Sequence, residues 1–271
     1  MPIKTINNIP IYYEQHGQGD DLVLIGGMTS DHQVWKSALR LLTPHFRVLI
    51  FDNRGAGQSG SPDYPYTMEM MATDTLQLMD ALAIKRAHII GHSMGGAIAQ
   101  QIALTEPEKI NKLILVCTRA KISTIGSMIF SMREKLQATG MKDDVLAEYV
   151  MPFLFSETFL QNKINVKGFA HWTIQNPFPQ TAMGYRNQLN ATKTRDFTDQ
   201  LYKINIPTLV ISGEEDIISP ARYGKKIAKL LGNGKFISIP DCAHMPHVEK
   251  SKAFFEIVMD FLCRDGDLSR L

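Results

Sequence analysis

The pentapeptide GHSMG, at residues 91–95, places Ser93 between two glycines where an apolar run gives way to a segment with helical spacing. This arrangement is typical of a nucleophile elbow, a sharp strand-to-helix turn that holds the serine hydroxyl clear of the sheet. Gly91 and Gly95 would face each other and the neighbouring strand, where a Cβ atom has no room. We therefore predict that Ser93 is a nucleophile with a strained backbone at the positive end of a helix dipole. The motif alone also fits a glycine-rich turn that carries an incidental serine.

A serine hydroxyl is a weak nucleophile at neutral pH, so Ser93 needs a base, and the base needs an acid to orient it. The candidate acid is Asp216, in SGEEDIISP, and the candidate base is His244, in PDCAHMPHVEK. Each follows a predicted strand, and the chain order serine, aspartate, histidine accompanies this type of elbow. Because ligands bind at the carboxyl edge of an open α/β sheet, we predict that the three side chains converge there.

Other residues compete for the roles of acid and base. Glu214 and Glu215 precede the candidate acid, and a charged pair at that position also fits a solvated loop. His247 is the nearest rival base, but it falls about one turn into the C-terminal helix. His92 is expected to point away from the serine hydroxyl. Four further histidines are expected to lie outside the loops at the edge of the sheet: His16, His32, His45 and His88.

The backbone is expected to supply the donors that stabilise an oxyanion. One N–H group belongs to the residue after the nucleophile, and the other belongs to the loop after an earlier strand. These residues are Met94 and, in LIGGMTSDHQVW, Met28. Apolar side chains are acceptable there because only the backbone acts. One residue among Thr29, Ser30 and Asp31 is expected to cap the helix that follows.

The elements that position these residues follow from hydrophobic patterning. Met68, Met71, Thr75, Met79 and Leu82 form one helical stripe within residues 67–84, and residues 254–262 form another. The N-terminal segment alternates around Asn7-Asn8, which predicts a β-hairpin. The remaining apolar runs are continuous, as in strands covered on both faces of a parallel sheet: 22–27, 46–53, 87–93, 112–118, 207–216 and 235–241. The alternation predicts an α/β fold with a mostly parallel, doubly wound sheet.

The alternation of strands and helices is interrupted once. Residues 119–202 contain no convincing buried strand but several helical patterns, which predicts a helical cap inserted into a core formed by 1–118 and 203–271. Basic residues outnumber acidic ones in this segment, which is typical of a solvated face but also fits attraction of an acidic substrate or carrier protein. Its large apolar side chains are expected mostly to pack the cap, with a minority facing a pocket: Met128, Phe130, Met132, Phe153, Phe155, Phe159, Phe169, Trp172 and Met183.

Composition limits the classes of protein to which the chain can belong. Among 271 residues the formal net charge is only +2, which gives no indication of nucleic acid binding. No apolar run reaches the length of a membrane span, and the N-terminus lacks the apolar region of a signal peptide. Cys117, Cys242 and Cys263 are too widely spaced for a disulfide framework or a zinc site. We expect a cytoplasmic globular protein, and the sequence does not decide whether it forms a homodimer.

Four segments together resemble the α/β-hydrolase superfamily over essentially the whole chain: GHSMGG, FDNRGAGQSG, GEEDIISP and AHMPHVEKS. Within it, the layout is similar to the small capped esterases and lactonases, which include 3-oxoadipate enol-lactonase-like proteins and non-haem peroxidase-like esterases. The resemblance implies an α/β-hydrolase fold with a helical cap, and it assigns nucleophile, acid and base to Ser93, Asp216 and His244. It further implies a small-molecule ester or lactone as substrate, cleaved through an acyl-enzyme, with no metal or organic cofactor.

Two departures from the superfamily pattern matter. Gly26-Gly27 stands where many relatives have His-Gly, and Ala243 replaces the glycine before the base. A serine nucleophile also argues against the epoxide-hydrolase and dehalogenase branches, which use a carboxylate. Two other functions stay open. One is carbon–carbon bond hydrolysis of a ring-fission diketone, for which Arg186 or Asn187 could hold the carbonyls; the other is ligand sensing or signalling with little turnover.

Overall fold

An eight-stranded sheet forms the centre of the molecule in the computed structural model, which describes residues 2–263. Its strands are β1 (Ile3–Ile6), β2 (Ile9–His16), β3 (Asp20–Ile25), β4 (Phe46–Phe51), β5 (Ala87–His92), β6 (Ile110–Val116), β7 (Thr208–Gly213) and β8 (Gly234–Ile239). They are ordered β1-β2-β4-β3-β5-β6-β7-β8. Strands β3 to β8 are parallel, whereas β2 pairs antiparallel with both β1 and β4. The predicted α/β class and mostly parallel sheet are therefore confirmed.

Local residue chemistry explains both edges of the sheet. Asn7 and Asn8 have φ angles of 49° and 63°, the left-handed pair that a two-residue hairpin turn requires, so the predicted N-terminal hairpin is confirmed. At the other edge, the run predicted as a strand covered on both faces forms β8, and five of its six residues are only partly buried. That part of the prediction is wrong, because an edge strand has a neighbour on one side only.

Helices cover both faces of the sheet. They are α1 (Lys36–Leu42), α2 (Met68–Ala81), α3 (Met94–Thr105), α9 (Ala221–Leu230), α10 (Pro246–Glu249) and α11 (Ser251–Cys263). Successive residues of β3 point into different cores: Val23 belongs to the apolar cluster that includes residues of α2, α3 and α9, whereas Leu24 belongs to the cluster that includes residues of α1 and α11. The two cores on opposite faces are what a doubly wound sheet requires.

Five α-helices lie between β6 and β7, within the segment predicted as a cap: α4 (Thr124–Ala138), α5 (Asp143–Leu154), α6 (Glu157–Gln161), α7 (Lys163–Ile174) and α8 (Ala182–Thr194). An isolated bridge between Lys121 and Asp196 closes the base of this segment. Aromatic rings join its helices; Phe155 stacks on Phe159 with ring centroids 4.2 Å apart. Within residues 2–263, no helix combines the length and apolarity that a membrane crossing requires.

The inserted segment is hydrogen-bonded to the loops that follow β3 and β4, through Asn176 between α7 and α8 and through Gln188 of α8. The Nδ2 of Asn176 donates to Oδ2 of Asp31 at 2.8 Å, and the Nε2 of Gln188 donates to the carbonyl of Arg54 at 2.8 Å. The backbones of Gly55 and Gly184 approach so closely that a Cβ on Gly184 would overlap the carbonyl oxygen of Gly55. These contacts therefore hold the inserted segment in a fixed position against the loops that follow β3 and β4.

Candidate active site

Ser93 occupies the turn between β5 and α3 with φ 54° and ψ −113°, so the predicted strained backbone is confirmed. A Cβ on Gly91 would overlap the carbonyl oxygen of Gly95, and one on Gly95 would overlap that of Ile25. The reversal is closed by hydrogen bonds, because the N–H of Ser93 donates to Val116 at 2.9 Å and its carbonyl accepts from Thr118 Oγ1 at 2.7 Å. The glycines thus let the chain turn sharply enough to aim the hydroxyl outward.

The structure brings together the three side chains predicted to act on a substrate. His244 Nε2 lies 3.0 Å from Ser93 Oγ, and His244 Nδ1 lies 2.8 Å from Asp216 Oδ2. Asp216 and His244 are only 2% and 3% exposed, whereas Ser93 is partly exposed. With Asp216 ionised, Nδ1 carries the proton and Nε2 accepts from the serine hydroxyl; this tautomer follows from the partners. The geometry allows His244 to remove the serine proton.

The two residues predicted to supply the oxyanion amides lie near the serine: Met94 follows it in the chain, and Met28 lines the same cavity. Met94 is the first residue of α3, and Met28 follows Gly27, where a Cβ would lie 3.2 Å from Ser93 Cβ. Within the part of the chain that the structure describes, neither N–H donates to another group. The absent side chain at Gly27 lets the β3 loop approach the elbow. The same loop confirms the predicted helix cap, because Asp31 accepts from the N–H of Gln33 at 2.8 Å.

The loop of the candidate acid is fixed from several sides. Asp216 Oδ1 accepts from the N–H of Ser219 at 2.7 Å, and Arg119 Nη1 donates to the carbonyl of Ile218 at 2.6 Å. Cys117 lies close enough to Asp216 and His244 for the three to hold a metal ion. However, burial and the nearby Asp216 charge raise the pKa of the Cys117 thiol, and both nitrogens of His244 are engaged. The cluster is therefore better suited to proton transfer than to metal ligation.

The rival acids and bases have other partners. Glu214 Oε1 accepts from the hydroxyl of Ser238 at 2.9 Å, and Glu215 Oε2 accepts from the N–H of Glu157 at 2.9 Å. His247 is 1% exposed, its ring lies 4.8 Å from that of Trp35, and burial lowers its pKa to about 3. None of these three side chains forms a hydrogen bond with Ser93.

Two residues that hold the candidate base have roles that sequence reasoning did not assign. The Nε2 of His92 lies 2.8 Å from the carbonyl oxygen of His244, and Glu249 accepts from the N–H groups of Ala243 and Ser156 at 2.9 and 2.8 Å. Burial holds the pKa of His92 well below its ordinary value, and the neighbouring rings of His247 and His244 add to the effect. The only sequence signal for His92 was its place next to the nucleophile.

His32 corrects another prediction, because it lies in the loop after β3 and therefore at the edge of the sheet. Its Nδ1 is 2.8 Å from Asp52 Oδ1 and its Nε2 is 3.4 Å from Glu14 Oε1. Burial lowers the pKa of His32, but the hydrogen bond and charge of Asp52, with Asp31 and Glu14, outweigh it and leave the pKa raised. Asp31, His32 and Asp52 are close enough to ligate a metal, yet their donors and acceptors are already paired. The cluster braces the loop that carries Met28.

A cavity of about 180 Å³ lies between the inserted helices and the carboxyl edge of the sheet. Ser93, His244 and Met28 line its floor, and apolar side chains form most of its wall, including Ile129, Phe130, Leu146, Val150, Phe153, Phe169 and Trp172. Four of the aromatic residues predicted as cap core or pocket wall are thus pocket wall. Arg186 and Asn187 are not among the lining residues: Arg186 pairs with Asp63 and Asn187 donates to Pro62. The suggestion that they hold substrate carbonyls is wrong.

Comparison with known proteins agrees with this fold. A family model described as the alpha/beta hydrolase fold matches residues 22–251, so the chain belongs to the α/β hydrolase family. The crystal structure of the enol-lactonase from Burkholderia xenovorans LB400 superposes with a TM-score of 0.88 at 28% identity, covering 97% of this chain and 100% of that one. The chain is thus a hydrolase similar to the lactonase branch.

Two curated relatives show how far the similarity extends. The 3-oxoadipate enol-lactonase 1 of Acinetobacter baylyi is 28% identical over 241 residues, covering 89% of this chain and 88% of its own. A candidate carbamate hydrolase, RutD, of Variovorax paradoxus is 30% identical over 265 residues, covering 94% and 97%. Their names differ in the bond that is cleaved but share hydrolysis of a carbonyl compound.

Proposed function

We propose that this protein is a serine hydrolase that cleaves a carboxylic ester or lactone through an acyl-enzyme, with Ser93, Asp216 and His244 as its catalytic triad. The observation that carries the proposal is the hydrogen-bonded chain from Ser93 Oγ to His244 Nε2 at 3.0 Å and from His244 Nδ1 to Asp216 at 2.8 Å. A base in hydrogen-bond contact with the nucleophile and an acid that orients the base are the requirements for serine activation.

The first half of the reaction forms the acyl-enzyme. As Ser93 Oγ attacks the carbonyl carbon, its proton passes to His244 Nε2, and Asp216 stabilises the imidazolium. The negative charge on the carbonyl oxygen is accepted by the N–H groups of Met28 and Met94, each contributing about 3 kcal/mol to lowering the barrier. The tetrahedral intermediate then expels the alkoxide, which takes the proton from His244. In a lactone this alkoxide stays attached to the acyl group.

The second half returns the enzyme to its starting state. His244 removes a proton from water, the resulting hydroxide attacks the acyl carbonyl, and the same two amides hold the oxyanion. Collapse of this intermediate returns the proton to Ser93 Oγ and releases the carboxylic acid. Every proton moves between substrate, water and the Ser93–His244 pair, so these steps can be written with the chain's own residues.

The substrate class follows from the cavity and the relatives. We propose that residues 119–202 act as a cap and that the cavity of about 180 Å³ beneath it takes a compact acyl group, since pockets for drug-sized ligands are larger, roughly 300 Å³ or more. The similarity to two enol-lactonases supports a lactone resembling 3-oxoadipate enol-lactone. The RutD relative makes a carbamate the second candidate substrate. We expect no nucleic acid or membrane partner and a cytoplasmic location; a homodimer remains to be tested.

The proposal is tested with 4-nitrophenyl acetate and butyrate, using wild type and Ser93→Ala. We expect turnover by wild type and loss of at least about 10⁴-fold in kcat for the variant. Labelling with a fluorophosphonate followed by peptide mass spectrometry should place the adduct on Ser93. Equal activity in both proteins, or none in either, would contradict the proposal, and the second result would favour ligand sensing. A panel of lactones, carbamates and ring-fission diketones then identifies the bond that is cleaved.

A further inference from the structure

The cavity above Ser93 has an unbalanced charge. Among the residues that the structure describes, those that line the cavity include no aspartate or glutamate, and Arg133 of α4 is their one lysine or arginine. The rest of the wall is mainly apolar, so this positive charge faces a medium of low polarity. A cation in such a wall is costly unless an anion accompanies it.

Arg133 is held in place without a counter-ion. Its guanidinium carbon lies 4.3 Å from the ring centroid of Tyr185 on α8, which fixes the plane of the group. Its Nη1 is buried and has no hydrogen-bond partner. Among the side chains that the structure describes, no carboxylate forms an ion pair with it. Arg54, buried elsewhere, instead pairs with Asp74 through two hydrogen bonds.

A second polar group lies beside Arg133. Gln137 is one helical turn further along α4 and lines the same cavity, and its Oε1 is buried without a partner. Side chains four residues apart on a helix share one face. Oε1 can only accept, but rotation of the amide exchanges its two ends and brings Nε2 of Gln137 beside the guanidinium of Arg133, so that both can donate to one ligand group.

We propose that Arg133, assisted by Gln137, binds a carboxylate on the acyl part of the substrate, so that the protein selects anionic esters or lactones. This inference rests on the proposed serine hydrolase function, because Arg133 and Ser93 line the same cavity. A carboxylate fits better than a neutral group, since a guanidinium donates to two carboxylate oxygens at once. The substrate then spans from the oxyanion amides at the floor to Arg133 in the wall.

The test compares two esters that differ in one group. In the mono(4-nitrophenyl) ester of glutaric acid a carboxylate ends the acyl chain, and in 4-nitrophenyl pentanoate a methyl group replaces it. We expect Arg133→Met to lower kcat/KM for the glutarate ester about 30-fold, mainly through KM, which is the magnitude of a charge-assisted hydrogen bond. The value for the pentanoate ester should stay within about 3-fold. Ser93→Ala supplies the background rate to subtract.

Two further variants separate charge from packing. Arg133→Lys keeps the charge but lacks the planar fork, so it should recover part of the preference for the glutarate ester. Arg186→Met removes another arginine of the insertion, one that is exposed and paired with Asp63 outside the cavity, and it should change neither ester. Binding of glutarate itself is measured by calorimetry with wild type and Arg133→Met, independently of turnover.

The outcomes are distinguishable. Equal losses on both esters in Arg133→Met, or no loss on either, would overturn the carboxylate site and leave Arg133 as a packing partner of Tyr185. Failure of wild type to cleave any ester would overturn the proposed function; the carboxylate site would then stand if glutarate binds wild type at least 10-fold more tightly than Arg133→Met, and fall if it does not.

Discussion

His92 Nε2 lies 2.8 Å from the backbone carbonyl oxygen of His244. His92 directly precedes the candidate nucleophile, Ser93, in the sequence. Because a carbonyl can only accept, the proton of the neutral His92 ring is on Nε2. Burial keeps this ring uncharged by holding its pKa well below the ordinary value. A residue next to the candidate nucleophile thus fixes the backbone of the candidate base, and its role is positional.

This relationship predicts that His92→Phe lowers kcat about 10-fold or more while KM changes less. The aromatic ring preserves packing, but the carbonyl of His244 loses its donor, at a cost of about 1–3 kcal/mol for an unsatisfied buried group. His92→Gln keeps an N–H donor and should recover most of the rate. Steady-state kinetics with 4-nitrophenyl butyrate measures both. Equal rates for the two variants would show that the hydrogen bond does not position the base.

The proposed role of Asp216 as the acid leads to a second prediction. Asp216→Asn should reduce kcat by about 10⁴-fold with little change in KM, because an amide no longer stabilises the imidazolium or enforces the correct tautomer of His244. Glu214→Gln is the matched control from the same loop, since Glu214 contacts the hydroxyl of Ser238 and not His244. A comparable loss in the control would mean that loop structure, and not the acid, is responsible. Thermal unfolding of both variants checks that each is folded.

The positions of the strand ends explain which residues of the candidate site could be predicted from the sequence. Ser93, Asp216 and His244 were predictable as neighbours because each follows an apolar run that forms a strand, and parallel strands bring their carboxyl ends to one edge. Arg133 was not predictable as a cavity residue, because helical periodicity gives a face but not the neighbour that the face meets. His32 was misplaced for a related reason: the sequence shows the end of β3 but not the path of the loop toward Asp52.

Two glycine substitutions, one at the elbow and one in α7, should change the stability of the protein in opposite directions. Gly95→Ala should destabilise the protein by about 3 kcal/mol, because its Cβ would overlap the carbonyl oxygen of Ile25 and the backbone must shift. Gly168→Ala, within α7, meets nothing within 4 Å and should stabilise by about 0.5–1 kcal/mol through helix propensity. Urea unfolding followed by circular dichroism measures both. Wild-type stability in Gly95→Ala would contradict the close approach of α3 and β3.

The buried ring of His247 predicts how stability depends on pH. Burial, with the charge of His244, lowers its pKa to about 3, whereas in the unfolded chain the pKa is near 6.5. Since the unfolded state binds the proton more readily, this residue costs the folded state stability as the pH falls from about 6.5 toward 3. At neutral pH both states are mostly uncharged and the cost nearly vanishes.

His247→Phe isolates this contribution, because the aromatic ring can still pack against Trp35, whose ring lies 4.8 Å away. Between pH 7 and pH 5, the free energy of unfolding of wild type should fall by about 2 kcal/mol more than that of the variant, at about 1.4 kcal/mol for each pH unit below the unfolded pKa. Urea unfolding at the two pH values gives both differences, so any constant effect of the substitution on packing cancels. Parallel pH dependences in the two proteins would mean that His247 accepts a proton in the folded state as easily as in the unfolded chain, and a buried neutral ring would then be excluded.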